Sequence, residues 1–124
     1  MKKYLLFGVI AFLFSSFTTL SFTQIVSAFN SGKSNEIAKY FDVTVEITLP
    51  GKSNSYSKNQ AALVLQEFFQ QNNVKDFKVI HQSESTTSQY CIGNLNTSNG
   101  TYRTTIFIKQ KGEKQLIQEL RFEK

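Results

Sequence analysis

One cysteine and one histidine in 124 residues exclude a good deal of chemistry at the outset. A lone Cys91 cannot close a disulfide within the chain, so the fold rests on its core even in an oxidising compartment. Metal centres need several convergent ligands, usually including His or Cys, and no such spacing is present around His81 or Cys91; no metal site and no cofactor is expected. Aspartate is scarce as well. Asp42 and Asp76 are the only two, and both read as cap or turn positions at element edges. Charge of one sign is also missing: the net charge is +5 with 14 basic residues, and without Lys2 and Lys3 the remainder holds 12 basic against 9 acidic side chains. Only Lys109, Lys111 and Lys114 cluster, around one turn. The basic stripe with aromatic platforms that nucleic-acid binding calls for is not there.

Nor is there the run of about 20 predominantly apolar residues that a membrane-spanning helix needs. Lys2 and Lys3 precede an almost uncharged stretch from Tyr4 to Phe14, and small polar residues follow. That is the order of a secretory signal peptide. Thr19 and Ser21 are the best small pair for cleavage, which gives a leader of residues 1–21 and a mature chain starting near Phe22. Phe17, Leu20, Phe22, Ile25 and Val26 prolong the apolar character as a retained anchor would, but serines and threonines interrupt them repeatedly. We favour cleavage, no stable membrane anchor afterwards, and a periplasmic or secreted product. Residues 22–124 fit a single domain.

Within that domain the apolar period changes twice. Thr23 to Phe41 reads as a helix broken once: Ile25, Val26 and Phe29 share a face, Gly32 stops it, and Ser34 is placed to cap a second piece holding Ile37, Ala38, Tyr40 and Phe41. Val43, Val45, Ile47 and Leu49 then alternate with polar residues as a half-buried strand ending at Pro50-Gly51. A polar loop follows from Lys52 to Ser55. Ser57 and Gln60 match a capping box, ahead of a helix over Lys58 to Asn72 with Ala61, Ala62, Leu63, Leu65, Phe68 and Phe69 as its apolar set. From Asp76 the period is two. Four strands are expected, over Phe77 to Glu84, Gln89 to Leu95, Thr101 to Gln110 and Lys114 to Glu123, joined as an antiparallel meander. Asn99-Gly100 suits a tight primed turn. The patterns Asn96-Thr97-Ser98 and Asn99-Gly100-Thr101 match the N-glycosylation acceptor, but turn chemistry explains both asparagines. Cys91, between Tyr90 and Ile92, reads as a buried small hydrophobe in a strand, with a bridging or catalytic thiol as the alternative.

Ile106, Phe107 and Ile108 are consecutive, as are Leu116 and Ile117, so both faces of the sheet must be partly covered. One face is expected to receive the helices. The other is left exposed, ligand-covered or paired with a second copy, since an open apolar sheet face invites aggregation.

A helical hairpin, a strand, a longer helix and a four-strand meander, in that order, resemble the nuclear transport factor 2-like fold, a cone also called cystatin-like. More closely, Val45-Glu46-Ile47-Thr48-Leu49-Pro50-Gly51, Tyr56-Ser57-Lys58, Phe68-Phe69, Ser98-Asn99-Gly100-Thr101-Tyr102-Arg103 and Leu116-Ile117-Gln118-Glu119-Leu120-Arg121 resemble a family of small exported bacterial proteins of unknown function. The resemblance implies an α+β fold, with N-terminal helices and one long helix packed on a curved, mostly antiparallel sheet, together with export. It supplies no activity, and no catalytic residue is carried over.

Function must then be argued from side chains. Glu46, Arg103 and Arg121 lie inside strands; converging on one face they make either an ion-pair lattice or the polar floor of a pocket. Tyr40, Tyr56 and Tyr90 offer an apolar ring and a polar tip, useful at a pocket mouth and at a core rim alike. His81 is the only imidazole, and a lone histidine in a strand is more often a hydrogen-bonded structural residue than a base. These seven residues are the binding candidates. The leading expectation is a non-enzymatic exported module that binds a small ligand or a protein partner, as a homodimer through its sheet. A pocket-type isomerase, dehydratase or hydrolase with His81 or Glu46 as base is the alternative, and an envelope-associated structural role a third.

Overall fold

The computed structural model describes residues 21–124, and the leader expected over residues 1–21 lies outside them but for Ser21. Helix α1 covers residues 21–30 and is followed by α2 (Ser34–Ala38), β1 (Phe41–Leu49), β2 (Lys52–Ser57), α3 (Lys58–Gln71), β3 (Val74–Glu84), β4 (Ser88–Thr97), β5 (Gly100–Lys111) and β6 (Lys114–Glu123). The strands form one sheet in the order β2-β1-β6-β5-β4-β3. Every neighbouring pair is antiparallel except β1 and β6, which run parallel. The meander of the last four strands is as the period-two pattern predicts.

Helix α1 ends as its glycine requires. Gly32 has φ +65°, its N–H donates to the Phe29 carbonyl at 3.1 Å, and Lys33 N–H reaches back to the Ala28 carbonyl at 3.1 Å. This is the Schellman pairing, in which a left-handed residue turns the chain so that orphan carbonyls are satisfied. Ser34 does not cap α2: it is the first residue of that helix, Lys33 occupies the cap position, and no side chain bonds there. Phe41, expected to be helical, opens β1 because α2 ends at Ala38.

The segment expected as a polar loop is strand β2. Leu49 pairs with Lys52 and the register continues to Thr44 opposite Ser57, with Pro50-Gly51 at the tip of the hairpin. Almost all of β2 is exposed, so it carries no apolar alternation to betray it. The capping box at α3 is present in full, with Gln60 N–H donating to Ser57 Oγ at 3.3 Å and Ser57 N–H donating to Gln60 Oε1 at 3.4 Å. The turn between β4 and β5 is not a primed one. Thr97 pairs with Gly100, so Ser98 and Asn99 are the central residues, and no non-glycine residue has positive φ; Gly100 takes the strain instead, at φ +112°. Asn99 is thereby free to bind, through Nδ2, the Gln71 carbonyl at 2.7 Å and Asn72 Oδ1 at 3.0 Å, tying the turn to the end of α3.

All three helices bury their apolar faces in one core against one face of the sheet, here the inner face. Ala61, Leu65, Phe68 and Phe69 of α3 follow the i, i+4, i+7, i+8 spacing of a single stripe. Leu63, expected to belong to that stripe, is 64% exposed; two residues past Ala61 it stands about 200° round the helix. Aromatic rings fill the middle. Phe68 lies with its centroid 4.7 Å from Phe122 and 5.2 Å from Tyr102, and Phe29 lies 5.4 Å from Phe77. Cys91, fully buried, belongs to this core. No described helix remains to cover the outer face, where Tyr90, Ile92, Phe107 and Leu116 are half-buried among their strand neighbours. Asp42 and Asp76, expected at caps or turns, are strand residues: Asp42 is buried near the start of β1, and Asp76 accepts a 2.6 Å bond from Asn96 Nδ2.

Candidate functional site

Strand alternation sends residues to opposite faces, and along the inner face of this sheet the chemistry changes part-way. Cys91, Ile106, Ile108 and Ile117 are buried hydrophobes. One or two steps further toward the β3–β4 turn, the inward positions become Gln82, Glu84, Gln89, Gln110 and Gln115. Gln82 pairs with Cys91 and Glu84 with Gln89, Gln89 with Ile108, and Gln110 with Gln115. The helices leave this end of the sheet open. Two cavities lie there, of about 260 Å³ and about 420 Å³, and both are lined by Glu84 and Gln89. Gln110, Gln115 and Ile108 complete one wall of the first, and Phe22 of α1 stands at the second.

The loop between β3 and β4 is braced by its own bonds. Ser85 N–H donates to the Ser88 carbonyl at 2.8 Å, Ser88 N–H returns to Ser85 Oγ at 3.2 Å, and Gln110 N–H holds the Thr87 carbonyl at 2.8 Å. Within this frame Gln89 Nε2 donates to Glu84 Oε2 at 2.9 Å. A carboxylate accepts and does not donate, which fixes the Gln89 amide with its oxygen turned the other way. That oxygen has no partner. Gln89 Oε1 and Gln115 Oε1 are both buried without a hydrogen bond, a state that costs about 1–3 kcal/mol for each group. Among the described residues lining either cavity, Glu84 is the only charged one.

The seven candidates fall elsewhere for the most part. Glu46, His81, Arg103 and Arg121 are exposed on the outer face. There Glu46 pairs in register with Glu119, Arg103 faces Asn94 and Glu123, and Arg121 Nε lies 3.6 Å from Glu123 and 3.9 Å from Glu119. This is a loose surface lattice, not a pocket floor. His81 stands edge-on to Tyr90 with centroids 6.0 Å apart. Tyr90 borders the larger cavity through its strand, while its ring belongs to the outer face. Tyr40 and Tyr56 are core-rim residues: Tyr40 Oη donates to Gln24 Oε1 at 2.5 Å, and Tyr56 Oη accepts from Asn54 Nδ2 at 3.4 Å. The sequence pointed to charged and aromatic residues, and the mouth is built from amides. The signal that marks it is the run of glutamines, Gln82, Gln89, Gln110 and Gln115, that continues the inward parity of four strands beyond their hydrophobes.

One further polar constellation is structural. Asp42 accepts from Lys111 Nζ at 2.7 Å, Gln118 Nε2 at 3.0 Å and Val43 N–H at 2.7 Å. The lysine ammonium and then the amide donor hold its carboxyl at about 2, below the ordinary 3.8. Cys91 shifts the other way, its thiol pushed up to about 11 by burial. Among the described residues no group of three or more His, Cys, Asp or Glu side chains is arranged to hold a metal ion, and no helix is long and apolar enough to cross a membrane.

The family model described as a domain of unknown function, DUF4783, matches residues 22–123. The crystal structure of a DUF4783 family protein from Bacteroides ovatus is similar at 36% identity and a TM-score of 0.78, covering 82% of this chain and 92% of that one. An NTF2-like protein of unknown function from Cytophaga hutchinsonii is similar at 12% identity and a TM-score of 0.58, covering 81% of this chain and 82% of that one. A domain of unknown function with a cystatin-like fold from Nostoc punctiforme follows at 16% identity and 0.63, covering 82% and 70%. The last two bear on the fold alone. No curated protein matches this chain.

Proposed function

This chain belongs to the DUF4783 family and has the nuclear transport factor 2-like, or cystatin-like, fold, and we propose that it is an exported, non-enzymatic binding module that seats a small hydrogen-bonding ligand in the amide-lined mouth of its sheet. The observation that carries the reading is the pair of buried, unpartnered oxygens, Gln89 Oε1 and Gln115 Oε1, beside two cavities. A concave site with a few convergent polar groups is the ordinary form of a ligand pocket. Among the described residues the interior of the cone is filled by Phe29, Phe68, Phe69, Phe77 and Phe122. The non-enzymatic reading is favoured because the candidate bases His81 and Glu46 stand on the outer face, away from the mouth. Export is argued from Lys2, Lys3 and the apolar run after them.

Nuclear magnetic resonance titration of the 15N-labelled protein with a chemically mixed set of small polar metabolites tests the site. Shifts confined to residues 84–89, 108–110 and 115 are expected. Shifts confined to the outer face, or none with any compound, overturn it. N-terminal sequencing of the protein from cell-envelope and culture fractions tests export, with a start near Phe22 expected.

The outer face supports a second proposal, that another copy of this chain covers it. Tyr90, Ile92, Phe107 and Leu116 form its apolar strip. Glu46 on β1 and Glu119 on β6 flank the strip on one side and Lys78 on β3 lies on the other, while Arg103 and Arg121 between them face Glu123, so the face carries both signs and a twofold rotation can set opposite charges of two copies against each other. Sedimentation equilibrium is expected to show a dimer that Phe107→Lys splits. A wild-type monomer at high concentration removes the proposal.

A further inference from the structure

We infer that the mouth takes a small organic cation, an alkylammonium or guanidinium head on a short apolar stem, whose N–H groups reach Glu84 and the unpartnered glutamine oxygens. The inference rests on the small-ligand reading above and names the ligand's chemical class.

The sign of the charge is the first argument. Glu84 is the one charged side chain among the described residues lining either cavity. The lysines of the neighbouring β5–β6 turn do not cancel it. Gln110 and Gln115 pair on the inner face, so Lys111 and Lys114, which pair with each other, stand on the outer one by alternation. Lys111 is moreover held by Asp42 at 2.7 Å.

The inventory of donors and acceptors is the second. Several donors of the mouth are already used: Gln89 Nε2 by Glu84 at 2.9 Å, Gln110 Nε2 by the Gly112 carbonyl at 3.2 Å, and the backbone N–H groups of Thr87 and Ser88 by Ser85 Oγ, while the amide nitrogens of Gln82 and Gln115 carry no such bond. The buried atoms left without a partner are both acceptors, Gln89 Oε1 and Gln115 Oε1, and the second carboxylate oxygen of Glu84 adds a third acceptor. An ammonium or guanidinium group carries donors only and matches such a set. A carboxylate or phosphate ligand would set acceptor against acceptor.

The third argument is room and surface. Phe22 and Ile108 lie at the two cavities next to these groups, giving an alkyl stem somewhere apolar to rest and an aromatic face near a cation. The volumes of about 260 Å³ and about 420 Å³ suit a molecule of a few carbons.

The test is a 15N titration of the protein with n-butylammonium, n-butanol and butyrate, which share a stem and differ in head group. Butylammonium is expected to shift residues 84–89 and 115 saturably, and the other two to leave them in place. Glu84→Gln and Gln89→Leu are each expected to weaken it at least about tenfold, the scale of a lost charge-assisted bond, while Glu67→Gln, an exposed carboxylate on α3, leaves it unchanged. A blocked lysine amide tests whether the head group arrives on a peptide instead; tighter binding than butylammonium overturns the free-amine assignment. Equal or tighter binding of butanol or butyrate at the same residues overturns the cation class but keeps the small-ligand reading. No shift at the mouth with these probes or with the mixed metabolites overturns both.

Discussion

Lys111 and Asp42 meet at 2.7 Å with the carboxylate buried and the ammonium half exposed, joining the far end of β5 to the start of β1. Because the folded-state carboxyl titrates at about 2 against an ordinary 3.8, the pair stabilises the fold above pH 3.8, and its contribution is lost as pH falls from there through 2. The size is on the order of 2 kcal/mol. Chemical denaturation of the wild type and Asp42→Asn between pH 2 and 6 is expected to show the wild type losing that stability on acidification, with the variant less stable at pH 6 and its acid limb flatter.

Gly93 on β4 faces the core beneath Phe77. A Cβ there would come within 2.5 Å of the Phe77 ring and 2.7 Å of the Lys78 carbonyl oxygen. Gly93→Ala is expected to destabilise the protein by about 2–3 kcal/mol through overpacking. Phe77→Leu in the same chain is expected to recover only part of this, since the backbone carbonyl cannot retreat; thermal melts of the two variants check it.

Cys91 is fully buried with its thiol at about 11, so almost none of it is thiolate at pH 8. Ellman's reagent is expected to leave it unmodified in the native protein for hours and to titrate one thiol at once in urea. Rapid native labelling would revive the reactive-thiol reading.

Ser57 and Gln60 close the start of α3 reciprocally. Ser57→Ala is expected to cost about 1 kcal/mol. Adding Gln60→Ala is expected to cost less than the sum of the single changes, because each bond orders the partner of the other; urea midpoints of the three variants measure the coupling.

Local periodicity carried most of the fold. The α3 stripe, its capping box and the four-strand meander were legible because each is written in residues that are neighbours in sequence or one turn apart. Strand β2 was not, since both its faces are largely wet and Lys52 to Ser57 has no apolar alternation to reveal pairing with β1. Leu63 is indistinguishable by sequence from the buried set for a related reason: five nearby hydrophobes blur which stripe is buried until a sheet chooses one. The site was less legible still. Glutamine scores as a neutral surface residue, and only the register of β3 against β4 and β5 against β6 shows that Gln89, Gln110 and Gln115 continue an inward row.

By itself the amino-acid order determined an α+β chain with one long capped helix, a closing meander and a single cysteine that had to be packed without a bridge, because propensity, period and turn chemistry act over a few residues. The tertiary structure alone decided that β1 lies parallel beside β6, that Asp42 meets Lys111, and that the charged candidates stand outside while the amides gather at the mouth. Those are contacts between distant segments, and which face of a strand becomes the inside is set by what packs against it.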